Sequence, residues 1–405
     1  MKQETREAYE EEKRRIRRRA MIERARQEKL RRQRIRKIIL LALPVIVVGM
    51  IVLLVVLSVP KKAKDNPNPT KQEGLSNKPK ENESKSEETE EGIEDPVTET
   101  ETPGEGMGSN TAVPGLENAF LQINSVLSAD YVKLPPLQAS ATDHTGGFPE
   151  TVVSENGVLI DLEKEEIIAM KDPYAKLSPA SMTKILTILV AAEHIENLED
   201  TFTITIGITD YSFSNDCSNV GFEVGEAVTI QDLFYGTILP SGADAALGLA
   251  IYTAGSHEAF VDMMNEKLEE LGLSDTAHFT NCVGLYDKEH YCSVYDMAVI
   301  LKAAYDNPLC RSVLSAHTYT TSATAEHPEG ILLSNWFLRR IEDKDTHGEV
   351  LCAKTGYVVQ SKNCAASLAE DIAGRKYLCV TAGSTSSWRC IYDHVDIYAE
   401  YLRGE

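Results

Sequence analysis

A serine hydroxyl and a lysine amine stand three residues apart in "LSPASMTKILTILV", where Ser181 and Lys184 open an apolar run. On a helix that spacing puts both side chains on one face, one turn apart. A serine hydroxyl is a weak nucleophile that needs a neighbouring base, and an amine can serve as that base only when neutral. A second cation nearby pushes an amine toward neutrality; Lys354, in "CAKTGYV", is a candidate. A further hydroxyl, Ser241, lies downstream in "LPSGADAALGLA". Together these groups could carry acyl transfer through an ester on Ser181. Serine and lysine are common, so Ser-x-x-Lys alone is far more often a plain helix start. The joint occurrence, in this order, carries the weight.

The elements that must position these groups can be read around them. "GVLIDL" and "EIIAM", separated by "EKE", predict a pair of short strands. The apolar run from Ser181 to about Ile195 and "AFVDMMNEKLEELGL" (259–273) have helical spacing. "CAKTGYV" reads as a strand carrying Lys354, Thr355 and Gly356, and "CAASLAE", "DIAGR" and "KYLCVTAG" as strand, turn and strand. "IYDHVDIYAEYLRGE" is again helical. Strands at both ends with helices between predict an α/β (α+β) domain, an antiparallel sheet joining the two ends and flanked by helices. No internal repeat or phosphate-binding glycine loop is visible.

The chain of 405 residues is uneven in composition. Residues 1–37 are rich in arginine and lysine, and Ile38 to Val59 contains no charged residue. That run is long enough for a transmembrane helix, and "VPKKAKDN" offers no small-residue cleavage site. The basic flank predicts a cytoplasmic residue 1–37 segment, with everything beyond residue 59 outside the cell membrane. Residues 60–116 lose apolar character and are expected to form a disordered acidic linker, spanning about 40 Å as a flexible coil. Globular character begins near Glu117 and runs to residue 405. The net charge of -21 understates how acidic the exterior part is, and such a surface argues against a nucleic-acid partner.

All eight cysteines lie beyond the apolar run, with no Cys-x-x-Cys pair and no zinc-ligand spacing. An outside location permits disulfides. Cys282 and Cys292, which bracket "VGLYDKEHY", are the expected pair. His290 is read as structural, and the scattered histidines suggest no metal or cofactor site.

The set Ser181-Met182-Thr183-Lys184, "LPSGADAALGLA" and Lys354-Thr355-Gly356 resembles the penicillin-recognising serine enzymes. Within them the chain is most similar to the low-molecular-mass D-alanyl-D-alanine carboxypeptidases, over roughly residues 155 to 400. "YAKLSPASMTKILT", "FVDMMNEKLEELGL", "FTNCVGLYDKEHYCSVYDMA" and "KTGYV" carry the similarity. The resemblance implies a β-lactamase/transpeptidase-like domain that removes the terminal D-alanine from peptidoglycan stem pentapeptides and is inhibited by β-lactams. It implies Ser181 as nucleophile, Lys184 as base and Ser241 as proton relay to the leaving amine. The backbone N–H groups of Ser181 and Tyr357 would form an oxyanion hole. Lys354 and Thr355, with Gly356 beside them and Arg389 assisting, would hold the substrate carboxylate. Relatives commonly carry a C-terminal amphipathic anchor, and here the N-terminal helix is expected to take that part.

One position departs from the family pattern: the usual asparagine of the second motif is Ala243. That motivates an alternative, a β-lactam- or wall-binding protein without efficient turnover. A serine β-lactamase is a further alternative, but no Glu-x-x-Leu-Asn segment lies between Ser241 and Lys354.

Overall fold

The structure, a computed structural model, describes residues 133–402. The basic segment, the expected transmembrane helix and the whole of the linker lie outside the described residues. Among the described residues no helix is long and apolar enough to cross a membrane.

Six strands form the main sheet: β1 (Ser140–Gly146), β2 (Asn156–Asp161), β3 (Glu166–Lys171), β8 (Gly348–Val358), β9 (Lys362–Asp371) and β10 (Lys376–Ser384), in the order β1-β3-β2-β10-β9-β8. The predicted β2–β3 pair and the joining of the two ends are both present, with Val158 of β2 opposite Val380 of β10. The expectation of a wholly antiparallel sheet needs one correction, because β1 runs parallel to β3. The hairpin partner β3 fills the place between β1 and β2. A strand antiparallel to β2 on the far side of β3 is necessarily parallel to β3.

Side chains alternate across each strand, and the two faces of this sheet are both covered. Val158 and Ile160 of β2, with Leu378 and Val380 of β10, enter the main core. Leu159, Tyr377 and Cys379 point the other way, onto Tyr398 and Leu402 at the C-terminal end. Those two belong with the final helix, α9 (Ser387–Tyr401), and its following residue. The main face packs chiefly on the helix Val294–Asp306, which in turn lies on α1 (Thr183–Ala192), whose side chains are buried from Thr183 through Ala191. A helix apolar on all sides is a core helix. Lys184, the one cation in it, is carried into the interior by its neighbours.

Around α1 pack α3 (Ile230–Ile238), α4 (Ala243–Ala254), α5 (His257–Glu270), α6 (Val294–Asp306) and α7 (Pro308–Leu314), while α2 (Ile206–Ser214) lies on α4 and α8 (Leu338–Ile341) lies on α9 and β8. Two short strand pairs complete the fold: β4 (Thr201–Thr203) with β5 (Ala227–Thr229), and β6 (Thr318–Thr320) with β7 (Leu332–Ser334). The helix starts are written locally. Thr229 with Asp232 and Ser293 with Asp296 close reciprocal capping boxes, and Asn307 caps α7 ahead of Pro308.

The expected Cys282–Cys292 disulfide is absent, and all eight cysteines are free thiols. The reason is packing: both are fully buried, and the Cys282 thiol donates to the Ala246 carbonyl of α4 at 3.8 Å. Burial pushes Cys282 up to about 12 and Cys292 well above its ordinary value, so neither is a ready thiolate. They behave as small apolar side chains.

Candidate active site

A cleft of about 670 Å³ opens between the main sheet and the helical part. Ser181, Lys184, Ser241, Thr355, Gly356 and Tyr357 all line it. Ser181 sits in a 3-10 turn, Ala180–Met182, directly before α1, so the helix predicted from Ser181 begins two residues later, at Thr183. The two side chains still meet across one turn: the Lys184 amine donates to Ser181 Oγ at 3.1 Å and to the Val283 carbonyl at 2.6 Å. Burial pushes this amine down to about 8, against an opposing pull from Cys217, Cys282 and Asp244.

Lys354, on β8, donates to Ser241 Oγ and to the Thr355 carbonyl, both at 2.9 Å. Burial holds it well below its ordinary value, and the Lys184 charge adds to the effect. The sequence suggested a nearby cation as what depresses Lys184; burial is the main cause for both lysines.

The backbone around the hydroxyls is unusual. Ala180 and Ser241 have φ of 49° and 62°, the left-handed region that costs an L-residue about 1–2 kcal/mol. Such conformations persist where the surroundings over-determine them, and two glycines make this possible at Ala180. A Cβ on Gly284 would lie 1.9 Å from the Ala180 carbonyl oxygen, and one on Gly356 would lie 2.9 Å from the Ser181 nitrogen. The loop after α5 and strand β8 therefore press on the Ser181 turn from two sides.

Several contributors were not visible in the sequence as functional residues. Asn281 accepts the N–H groups of Val283, Gly284 and Leu285 at 3.2, 2.7 and 2.9 Å, shaping the loop that offers the Val283 carbonyl to Lys184. An asparagine three residues before a glycine was the only local signal. His290 is neutral, pushed down to about 3 by burial. Its Nδ1 accepts the Thr280 N–H at 2.9 Å, so Nε2 carries the hydrogen and donates to Thr183 Oγ1 at 2.8 Å. It braces the residue between Ser181 and Lys184, as a structural histidine should. Asp244 accepts the N–H groups of Val220 and Gly221 at 2.9 and 3.1 Å. This pins the loop whose Asp216, Cys217 and Ser218 line the cleft.

Arg389 is placed differently from the carboxylate-binding role suggested for it. Its guanidinium pairs with Asp393, one helical turn away, at 2.8 Å and also with Asp396. The neighbouring Ser387 and Cys390 line the cleft, whereas Arg389 does not. Ala243 is fully buried as the first residue of α4, and its N–H donates to the Ser218 carbonyl at 2.8 Å.

The lysine titration gives a direct expectation. Protonated Lys184 cannot accept the Ser181 proton, so acylation should rise with pH and level off above about 8, the value burial sets for this amine. The pH profile of kcat/KM reads the free protein. A limb centred near the ordinary lysine value of 10.5 would remove Lys184 as the base.

This arrangement has counterparts among known proteins. Residues 142–381, more than half of the chain, match the sequence profile described as D-alanyl-D-alanine carboxypeptidase. The chain is 35% identical over 149 residues to D-alanyl-D-alanine carboxypeptidase DacF of Bacillus subtilis, covering 37% of this chain and 38% of DacF. It is 29% identical over 237 residues to a D-alanyl-D-alanine carboxypeptidase of Streptomyces sp., covering 55% of this chain and 79% of that protein. The match to DacF thus spans well under two thirds of that relative's length. The crystal structure of a Streptomyces DD-transpeptidase superposes with a TM-score of 0.56 at 26% identity, covering 62% of this chain and 98% of that one. Penicillin binding protein 5 from Haemophilus influenzae gives 0.54 at 26% identity, covering 60% and 69%. With a serine, a buried lysine and a Lys-Thr-Gly strand converging on one cleft, and a profile match across the sheet and helices that hold them, this chain belongs to the D-alanyl-D-alanine carboxypeptidase family.

Proposed function

We propose that this protein is a serine-type D,D-carboxypeptidase that removes the terminal D-alanine from peptidoglycan stem pentapeptides. The observation that carries the reading is the 3.1 Å contact from the buried, depressed Lys184 amine to Ser181 Oγ. Neutral Lys184 takes the Ser181 proton as Oγ attacks the carbonyl of the penultimate D-alanine. The developing oxyanion is met by the N–H groups of Ser181 and Tyr357, on the two segments that Gly356 brings into contact. Ser241, held by Lys354, passes a proton to the leaving D-alanine, and water then hydrolyses the ester. Lys354 and Thr355 receive the substrate's terminal carboxylate; with its guanidinium engaged by two aspartates, Arg389 is left out of this scheme.

The test is incubation with a pentapeptide stem, assayed for free D-alanine, alongside intact-mass analysis after penicillin treatment. One adduct is expected in the parent and none in Ser181→Ala. An adduct persisting in that variant would sink the assignment of the nucleophile. The sequence further supports a location outside the cell membrane, held by the apolar segment 38–59.

Ala243 is the point where the binding-only alternative makes a different prediction. Losing one neutral hydrogen bond costs about 0.5–1.5 kcal/mol, a rate factor of roughly 2 to 12. The Ala243→Asn variant should therefore change kcat/KM for D-alanine release by no more than about tenfold. An inert parent that Ala243→Asn revives by several orders of magnitude would establish the binding-only reading instead.

A further inference from the structure

A second cavity, of about 400 Å³, backs onto the cleft. Three chain segments pass from one to the other. Ser178 lines the cavity and Ser181 the cleft; Leu285 lines the cleft and Tyr286 the cavity; Val358 lines the cleft and Gln360 the cavity.

The charged groups at the cavity are largely engaged. Glu155 is paired with Lys362 at 2.6 Å, the Lys176 ammonium lies 3.2 Å from the Tyr291 ring centroid, Asp287 accepts the Glu289 N–H at 2.7 Å, and the largely exposed Lys288 stands 3.7 Å from the Glu289 carboxylate. What stays open for recognition is mainly neutral. Ser178 is only 7% exposed, and its hydroxyl has no hydrogen-bond partner among the described residues. A buried hydroxyl left so is expensive, unless something that enters the cavity completes it. The Gln360 side-chain amide stands at the same wall, and Tyr286, half exposed, offers an aromatic ring. Hydroxyl, amide and aromatic face together suit an uncharged polyhydroxylated ring bearing an amide, and the volume falls within the range of small-molecule sites.

From this we propose that the cavity binds an N-acetylated sugar of the glycan strand that carries the stem peptide. This rests on the carboxypeptidase reading and extends its substrate from a peptide to a glycopeptide. The reach agrees. Four stem residues separate the sugar from the scissile bond, at most about 14 Å when extended, and the Cα atoms of Ser178 and Ser181 can be no more than about 11 Å apart. One substrate molecule can fill both sites.

The test uses the full chain in detergent and two substrates: a free pentapeptide, and the same pentapeptide on an N-acetylglucosaminyl-N-acetylmuramic acid disaccharide. The disaccharide is expected to lower KM about tenfold, equivalent to 1.4 kcal/mol. Tyr286→Ala and Gln360→Ala should erase that advantage while leaving kcat/KM on the free pentapeptide within about twofold. The peptide-free disaccharide should also show saturation transfer from Ser181→Ala, lost when Tyr286→Ala is added. Equal KM values for the two substrates, or saturation transfer that survives Tyr286→Ala, overturns the proposal. Disaccharide binding to Ser181→Ala without D-alanine release from either substrate by the parent would instead overturn the carboxypeptidase reading and leave the sugar site standing.

Discussion

Replacing Lys184 with alanine is expected to slow acylation of Ser181 by roughly 10²- to 10⁴-fold, the contribution of a positioned proton acceptor. The amine is the only nitrogen with a hydrogen bond to Ser181 Oγ among the described residues. Lys354, the other buried amine, is committed to Ser241 and Thr355. The variant should still fold, since alanine is the best helix former and the change also removes the cost of burying an amine. Against that, the Val283 carbonyl loses its donor, a cost of about 1–3 kcal/mol. Acylation by a fluorescent penicillin, followed in time, measures the effect, and a melting curve verifies folding. Labelling of folded Lys184→Ala at the parental rate would take the base role away from this residue.

The second large effect is expected at Gly284, which lines the cleft without a side chain to offer a substrate. Its φ is +83°, and an added Cβ would overlap the Ala180 carbonyl and come within 2.8 Å of the Ser181 nitrogen. Backbone atoms cannot turn aside as a side chain can. Gly284→Ala should therefore displace either the Ser181 turn or the loop that holds Val283 against Lys184. A misplacement of about 1 Å costs on the order of 10²-fold in rate, and overpacking with the left-handed strain costs about 2–5 kcal/mol in stability. Gly255→Ala is the control. It shares a left-handed φ of +79° at the end of α4 but meets nothing within 4 Å, so it should cost only about 1–2 kcal/mol and leave acylation unchanged. Urea unfolding and penicillin labelling of both variants separate the two costs. A Gly284→Ala protein labelled as fast as Gly255→Ala would refute the crowding argument.

What could be read from the sequence was what is local. Ser181 and Lys184 are three residues apart, so the geometry of a single turn decides their contact. The β2–β3 pair and the helices α5 and α9 follow from periodicity in the same way. Lys354 meeting Ser241 is a contact between distant segments; the family resemblance put both in one site without pairing them. The cysteines misled because an exported thiol and a small core residue look the same in sequence. Packing of Cys282 against α4 decides between them. For Arg389 the local signal was present and passed over: Asp393 stands four residues on, the spacing of a helical ion pair. The pressure of Gly284 on Ala180 had no readable sign, because it depends on two backbones meeting.

The pairing of Val158 with Val380 also sets the order in which this domain can mature. Nearly all of its helices lie between those two residues in the chain, so the sheet closes only after a long loop has been ordered, and such non-local pairings form slowly. The Ser181 turn rests on β8 through Gly356, and β8 is held only by β9 among the sheet strands. A chain still emerging from the ribosome therefore carries Ser181 as an ordinary hydroxyl, and its reactivity switches on with the arrival of the last strands.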